Sequence, residues 1–246
     1  MTMASPLISI ITVTRNAADT LERTLISVDG QTFLDYEHLV IDGASTDATA
    51  SVAAARPSIK RRFDCRPDKG LYDAMNRGLS EARGTYVVFL NAGDAFHDRD
   101  VLARVASAIA DAGSPGIVYG QTDIVDDDGR YLHPRHFEAP ENLALSDFRR
   151  GMVVCHQAFF VLRRITVPFD LRYRYSADYD WCIHCLQHSR HNVYVDRPAL
   201  VDYLSEGLTT RNRRASLRER FRIMARHYGF FHTILLHLKL LFGVAS

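Results

Sequence analysis

The sequence has little of several features that define classes of protein. Its 246 residues include only 4 cysteines, without paired spacing, which excludes a disulfide framework and favours a reducing compartment. Eight prolines and 14 glycines are too few for a linker or a collagen-like chain, and a hydrophobic content of 47% is too high for a disordered one. We expect one large globular domain, or one domain with an appendage.

The chain also has few signs of targeting. Residues 1–10 contain neither the basic stretch nor the cleavage pattern of a signal peptide. No run reaches the roughly 18 apolar residues needed to cross a bilayer. The longest candidate, residues 233–245, is interrupted by His237 and Lys239. We therefore expect a cytoplasmic protein.

The net charge of +1 conceals an uneven distribution. From residue 211 onward there are seven arginines and one lysine against one glutamate, a formal charge of +7 that leaves −6 for residues 1–210. Basic and apolar side chains over residues 217–244 suit peripheral contact with the anionic inner face of a membrane. The alternative is a pair of helices that packs on the body or on a second subunit. We expect no nucleic-acid partner.

Strands alternate with helices in the first 110 residues. Hydrophobic patterning predicts strands over residues 7–13, 36–41, 61–65 and 86–90, and helices after Asn16 or Asp19 and over residues 47–55 and 71–82. This alternation predicts βαβ units, and hence an α/β fold with a mainly parallel central sheet flanked by helices.

The second half has a more mixed pattern. We predict strands over residues 117–125 and 131–137 around a turn at residues 126–129, further strands over 158–162, 192–195 and 199–204, a helix over 176–189, and a helical tail from Leu217.

Polar residues cluster where the predicted strands end. They are Thr14, Arg15, Asn16, Asp42, Asp68, Lys69, Asn91 and Asp94. In open parallel sheets, ligands bind outside the carboxyl ends of the strands, so the clusters predict a nucleotide-type pocket. Each cluster taken alone is also compatible with ordinary turn formation.

Three segments carry a resemblance to a known family. Residues 40–47 read VIDGASTD, residues 67–78 read PDKGLYDAMNRG, and residues 89–94 read FLNAGD. Together they resemble family-2 glycosyltransferases of the GT-A fold, and in particular bacterial members that build cell-envelope glycans or exopolysaccharides. The resemblance spans about residues 6–210. It implies a Rossmann-like GT-A domain over 1–210, with a nucleotide-sugar half (6–110) and an acceptor half (111–210), followed by a basic and apolar helical tail over 211–246.

The resemblance implies a role for each cluster. Residues 14–16 would lie beside the nucleoside of a UDP-, GDP- or dTDP-sugar donor. Asp42 would accept a hydrogen bond from the base or the ribose, and Asp68 and Lys69 would line the same pocket.

Residues 91–94 occupy the place of the DxD motif, which holds a divalent cation on the donor diphosphate. Mg²⁺ or Mn²⁺ suits such a site of hard oxygen ligands. Here Asn91 and Gly93 replace carboxylates and leave Asp94 as the one acidic ligand. We therefore expect a weak metal site, and metal independence remains an alternative.

The resemblance also places the catalytic base. Asp178 would take the proton from an acceptor hydroxyl in a single inverting displacement, although an acid in the first turn of a helix is also favoured by the helix dipole. Asp180 would support it or be solvated. His156 and Gln157 resemble a pair found on the donor-sugar and acceptor side, with a structural histidine as the alternative.

Two further patterns concern the second half of the chain. Residues 206–210 take the place of a loop that closes over the donor, and Arg211, Arg213 or Arg214 beyond it would touch the diphosphate or form a solvated basic run. Cys182, Cys185 and His188 have a spacing that suggests zinc. Because all three fall within one predicted helix and no second pair follows, we reject that interpretation.

We therefore expect a hexosyltransferase that uses a nucleotide-sugar donor and a hydroxyl of an envelope glycan, glycolipid or lipid-linked acceptor. One alternative is a nucleotidyltransferase, although residues 14–18 lack the glycine-rich loop that would hold a triphosphate. Another is a non-catalytic nucleotide-binding scaffold with a degenerate metal site. A dehydrogenase is disfavoured because no GxGxxG follows the first predicted strand.

Overall fold

The computed structural model describes residues 5–205 and 212–241, which form two sheets surrounded by helices. The strands are β1 (Ile8–Thr14), β2 (Tyr36–Asp42), β3 (Arg61–Cys65), β4 (Tyr86–Phe89), β5 (Ala95–Phe96), β6 (Ile117–Gly120), β7 (Thr122–Val125), β8 (Tyr131–Pro134), β9 (Phe159–Leu162), β10 (Asn192–Val195) and β11 (Val201–Leu204). The helices are α1 (Leu21–Asp29), α2 (Thr49–Ala55), α3 (Leu71–Glu81), α4 (Val101–Asp111), α5 (Ala177–His188), α6 (Arg213–Tyr228) and α7 (Phe230–Leu241).

The large sheet has seven strands in the order β10-β6-β9-β4-β1-β2-β3. Strand β9 runs antiparallel to β4 and β6, and all other neighbours are parallel, so the mainly parallel sheet is confirmed. Every residue of β1 is buried, because helices cover both faces of such a sheet.

The small sheet, in the order β5-β11-β7-β8, corrects one sequence prediction. The single strand predicted over residues 117–125 is two strands, β6 in the large sheet and β7 in the small one. The chain leaves the large sheet at Gln121, whose backbone carbonyl accepts from Leu200 N–H and whose side chain bonds both backbone groups of Ala139. The predicted turn at residues 126–129 does join β7 to β8, but β8 ends at Pro134, three residues earlier than predicted.

The C-terminal helices begin earlier than predicted and form a hairpin. Helix α6 starts at Arg213 instead of Leu217, and Gly229, with φ of 92°, separates it from α7. On α6, Ile223 and Met224 are buried in the same core as α5. The Glu219 carboxylate accepts hydrogen bonds from two consecutive backbone N–H groups of the body, at residues 174 and 175. Helix α6 is thus docked on the α/β body of the protein, and within the described ranges no helix is long and apolar enough to span a bilayer.

This topology brings distant segments to one edge of the large sheet. The parallel strands β1, β2 and β4 all end at that edge. Because β9 is antiparallel to β4, the short 3-10 turn that precedes it (His156–Ala158) lies there as well.

Candidate active site

A cavity of about 410 Å³ opens at this edge of the large sheet. Its walls come from the end of β1, residues 91–94, the His156–Ala158 turn, the start of α5, and α6. We call the side built by β1 and residues 91–94 the donor wall, and the side built by α5 and α6 the acceptor wall.

Asp178, the second residue of α5, stands on the acceptor wall with its side chain 17% exposed. Its Oδ1 accepts a hydrogen bond from the Tyr72 hydroxyl at 3.0 Å, and its Oδ2 lies 3.2 Å from His156 Nδ1. Burial raises the pKa of this carboxyl, but contact with His156, the charge of Arg220 and the Tyr72 hydroxyl outweigh burial, so the pKa is lowered overall. Asp178 is therefore a carboxylate at neutral pH and can accept a proton.

Asp94 stands on the donor wall and is 4% exposed. Its Oδ2 accepts from Gln157 Nε2 at 2.8 Å, and its Oδ1 accepts from the backbone N–H of Leu204 at 3.1 Å. Burial raises the pKa of Asp94 to about 6, against the opposing effect of these hydrogen bonds.

Asn91 connects the two walls. Its Nδ2 lies 3.4 Å from Nε2 of His156, whose other ring nitrogen faces Asp178. Its buried Oδ1 has no hydrogen-bond partner among the described residues. A buried polar atom without a partner is costly. Because Asn91 lines the cavity, a cavity ligand within reach of Oδ1 would satisfy it.

The donor wall fits a divalent cation with few protein ligands. Asn91 Oδ1 and the Asp94 carboxylate are hard oxygen donors of the kind that Mg²⁺ and Mn²⁺ take, and both residues line the cavity. Since Mg²⁺ commonly binds through one or two carboxylates and substrate phosphates, the donor diphosphate would complete the coordination.

The other donor-side residues fall into two groups. Thr14 and Arg15 line the cavity, and Thr14 Oγ1 has no partner among the described residues. Asn16, Asp42, Asp68 and Lys69 do not line the cavity.

Asn16 and Asp42 hold the loop after β2. Asn16 Oδ1 accepts from Thr46 N–H at 2.9 Å, and the buried Asp42 carboxylate accepts from Ser45 N–H at 2.8 Å and from the Cys65 thiol at 3.0 Å. Their predicted contact with a nucleoside stays a prediction.

Asp68 and Lys69 lie beyond that loop. Asp68 Oδ1 accepts from Gly70 N–H at 2.9 Å, and Lys69 is exposed. A Cβ added to Gly43 would come 2.4 Å from Asp68 Oδ2 and 3.4 Å from Arg15 Cδ. Glycine at this position therefore lets Arg15 and Asp68 approach the same point beside the cavity, and their role in donor binding also stays a prediction.

The acceptor-side residues are also divided. His156 and Gln157 line the cavity and contact its two carboxylates. Asp180 does not line it and instead accepts a hydrogen bond from His227 on α6.

Several predicted features lie apart from the cavity. Residues 206–210 and Arg211 lie outside the described residues, as does the side chain of Arg213, whereas Arg214 is exposed. Cys182 and Cys185 are fully buried while His188 is exposed, in keeping with our rejection of a zinc site formed by these three residues.

The cavity residues that sequence reasoning missed include three with polar or charged groups that the proposed chemistry uses or contacts: Tyr72, Arg135 and Arg220. Tyr72 lies within the segment at 67–78, but nothing in that segment indicates that its hydroxyl contacts Asp178, which lies 106 residues further along the chain. Arg220 belongs to the basic tail, and only the docking of α6 on the body brings it to the cavity.

Residues 9–167 match the family model described as Glycosyl transferase family 2. The chain belongs to glycosyltransferase family 2. It is 39% identical to a PGL/p-HBAD biosynthesis glycosyltransferase of Mycobacterium tuberculosis over 74% of this chain and 71% of the relative. It is 29% identical to TuaG of Bacillus subtilis, a putative teichuronic acid biosynthesis glycosyltransferase, over 63% of this chain and 61% of that protein.

Solved structures confirm the GT-A fold of this glycosyltransferase. TarS residues 1–349 of S. aureus in complex with UDP superposes with a TM-score of 0.73 at 16% identity, over 93% of this chain and 69% of the other. The mannosyltransferase PcManGT of Pyrobaculum calidifontis, in complex with GDP-Man and Mn²⁺, superposes with a TM-score of 0.64 at 19% identity, over 96% and 71%. Family membership supports glycosyl transfer over nucleotidyl transfer or a non-catalytic scaffold.

Proposed function

We propose that this glycosyltransferase moves a sugar from a nucleotide-sugar donor to a hydroxyl of a cell-envelope glycan or lipid-linked acceptor, with inversion at the anomeric carbon. The observation that carries the proposal is Asp178, an ionised carboxylate that faces the cavity and is held by Tyr72 and His156. The names of the mycobacterial and Bacillus relatives support an envelope acceptor.

Asp178 acts as the general base. It takes the proton of the acceptor hydroxyl while that oxygen attacks the anomeric carbon. The bond to the nucleoside diphosphate breaks on the opposite face of the sugar, and the diphosphate leaves with the bonding electrons. Tyr72 and His156 each contact one oxygen of the carboxylate, and each oxygen keeps a second lone pair that can accept the proton of the acceptor hydroxyl.

Arginines provide positive charge for the departing diphosphate. Arg15, Arg135 and Arg220 all line the cavity, and Arg220 Nε is buried without a partner among the described residues. Guanidinium groups bind phosphate oxygens through paired N–H donors. A divalent cation held by Asn91 and Asp94 would supply further neutralisation of the diphosphate charge.

The C-terminal hairpin provides contact with a membrane at the inner face of the envelope. On α7, Phe231, Leu235 and Leu238 are exposed at a spacing that puts them on one helix face. On α6, Arg214, Arg218 and Arg222 are exposed at intervals of four residues. Apolar and basic side chains together suit an anionic lipid surface, which would bring a lipid-linked acceptor to the cavity. Residues 242–244 of the predicted membrane segment lie outside the described residues.

The catalytic proposal is tested by product configuration and by Asp178→Asn. A thermal-shift screen with UDP-, GDP- and dTDP-sugars, with and without Mn²⁺, first identifies the donor, because a ligand of the folded state raises the melting temperature. With that donor, NMR should show a product anomer opposite to that of the donor. Asp178→Asn should reduce kcat by about 100- to 10,000-fold and leave donor affinity little changed.

Asp111→Asn is the matched control, because Asp111 is an exposed carboxylate at the end of α4. Its transfer rate should equal that of the wild type. A product that retains the donor configuration, or full activity of Asp178→Asn, would contradict the mechanism.

The membrane contact is tested separately by co-sedimentation with phosphatidylglycerol-rich vesicles. Phe231 is 81% exposed. Phe231→Asp should lower vesicle affinity by about 10- to 100-fold, since burial of one such side chain contributes about 1.5–3 kcal/mol. Leu34→Asp is the control, because Leu34 is 67% exposed in the loop before β2. Equal binding of Phe231→Asp and wild type would contradict this part of the proposal.

A further inference from the structure

A second cluster of chemically capable side chains lies outside the cavity, between α5 and α6. It consists of Asp180 and His184, one turn apart on α5, and His227 on α6. Because successive helical residues are rotated by about 100°, Asp180 faces away from Asp178 and the cavity. This cluster therefore belongs to a different part of the molecule from the catalytic site.

The geometry places both histidines against one carboxylate. His227 Nε2 lies 2.7 Å from Asp180 Oδ1, and His184 Nε2 lies 3.7 Å from Asp180 Oδ2. The three ligand atoms all lie within 4.8 Å of one another. A tetrahedral zinc ion with bonds of about 2.0–2.1 Å separates its ligand atoms by roughly 3.3 Å, so side-chain shifts of less than about 1 Å would form the site.

The surroundings suit a bound cation. The side chains of Asp180 and His227 are only 4% and 5% exposed, and the Asp180 carboxylate is within hydrogen-bond or ion-pair distance of only these two imidazoles among the described residues. His184 is 26% exposed, which leaves a path for the ion and a water ligand. Gln187 Nε2 lies 3.3 Å from His227 Nδ1. With the Gln187 amide turned over, its Oε1 would accept the Nδ1–H of a metal-bound His227, which is the second contact that such a histidine makes.

We propose that Asp180, His184 and His227 form a zinc site that fastens α6 to α5. Two imidazole nitrogens and one carboxylate oxygen are a ligand set that zinc takes, with water in the fourth position. Zinc replaces the proton that His227 Nε2 otherwise shares with Asp180. Since α5 carries Asp178 and α6 carries Arg220, the ion holds together the two helices of the acceptor wall without touching the cavity.

The test is the zinc content of the full chain after chelation, zinc addition and removal of unbound metal. The wild type should retain about one zinc per chain, and Co²⁺ in its place should give the visible absorption of a tetrahedral site. His184→Gln and His227→Gln should each retain less than roughly a tenth of that zinc. His184 is the decisive position, because its partial exposure lets the variant fold, which circular dichroism verifies.

Two controls fix the location of the ion. His188→Gln should keep its zinc, because His188 is exposed on the next turn of α5 and its Nδ1 is bonded to the His184 carbonyl at 2.8 Å. Asp94→Ala, at the catalytic cavity, should also keep it. The proposal is overturned if the wild type retains no zinc, if folded His184→Gln retains as much as the wild type, or if either control loses the ion. The readout is metal content, so it stands apart from the outcome of any transfer assay.

Discussion

The two walls of the cavity shift the pKa of a buried carboxylate in opposite directions. On the donor wall, Asp94 has neutral partners, the Gln157 amide and a backbone N–H, and its pKa is raised to about 6. On the acceptor wall, Asp178 contacts the His156 ring and the Tyr72 hydroxyl in the field of Arg220, and its pKa is lowered.

Burial disfavours the charge in both places, so the partners decide the direction of each shift. Asp178 is prepared to accept a proton over the whole neutral range. Asp94 holds a charge that its surroundings leave poorly compensated, and a cation or another positive group of the ligand complex would compensate it. The charge of Asp178 is thus compensated without a ligand, whereas the charge of Asp94 is not.

After Asp178→Asn, the largest expected effect comes from removing the donor-wall charge. Asp94→Ala should reduce kcat/KM by about 100- to 1,000-fold, the range for loss of one group that stabilises charge in the transition state. Unlike Asp178→Asn, it should also weaken donor binding, measured by calorimetry with the nucleotide sugar.

Asp128→Ala, an exposed carboxylate in the β7–β8 turn, controls for a general effect of charge removal and should behave as wild type. If Asp94→Ala binds the donor normally and fails only in transfer, the two walls do not differ in the way proposed.

The next effect is on stability and tests the two pKa shifts directly. Because the folded state raises the pKa of Asp94 from 3.8 to about 6, the proton on Asp94 stabilises the fold at low pH. That contribution is lost as the pH rises through about 6. The free energy of unfolding of the wild type relative to Asp94→Asn should fall by up to about 3 kcal/mol between pH 4 and 7. Urea unfolding at several pH values measures it.

Asp178→Asn should show the opposite sign. The pKa of Asp178 is lowered, so its contribution to stability is present above about pH 4 and is lost as the pH falls below that value. A difference between wild type and either variant that does not change with pH would contradict the corresponding pKa shift.

A smaller effect is expected from Tyr72→Phe, which removes the hydroxyl donor of Asp178 but keeps the ring. Loss of a hydrogen bond to a charged group costs about 1.5 kcal/mol, so kcat should fall about tenfold. The pKa of Asp178 should rise, moving the acidic limb of the pH profile of kcat/KM upward, with donor KM unchanged.

Tyr175→Phe is the matched control, because Tyr175 lines the same cavity and its hydroxyl has no hydrogen bond to Asp178 among the described contacts. Equal losses in the two variants, or an unmoved acidic limb, would show that Tyr72 does not act through Asp178.

The same contrast explains how much could be predicted from the sequence. The donor wall is built largely from short segments that directly follow strands. The apolar runs in the sequence therefore predicted β1, β2 and β4, and the polar residues after the last of these runs predicted the position of Asp94. The acceptor wall combines segments far apart in the chain. Asp178 was predicted through its family motif, but its contact with Tyr72 joins residues 106 positions apart.

Two errors have a common physical cause. The division of the strand predicted over residues 117–125 depends on Gln121 bonding Ala139 and Leu200, and the position of Arg220 depends on α6 packing its buried Ile223 on the body. In both cases tertiary contacts override a local pattern that is correct in itself. Net charge indicated a basic tail but could not separate the exposed arginines of α6 from the one that faces the cavity.

The last prediction separates the effect of that one arginine on Asp178 from the effects of the direct contacts of Asp178. Arg220 lowers the pKa of Asp178 through its charge, and no hydrogen bond joins the two among the described residues. At low salt, Arg220→Gln should therefore raise the acidic limb of the pH profile at least as much as Tyr72→Phe does. Because salt screens partly exposed charges, the shift should shrink between 0.05 M and 0.5 M salt, whereas the shift caused by Tyr72→Phe should persist.

Arg222→Gln, at an exposed position on the same helix, should leave the profile unchanged. A salt-independent shift in Arg220→Gln would mean that Arg220 contacts Asp178 directly when substrates are bound.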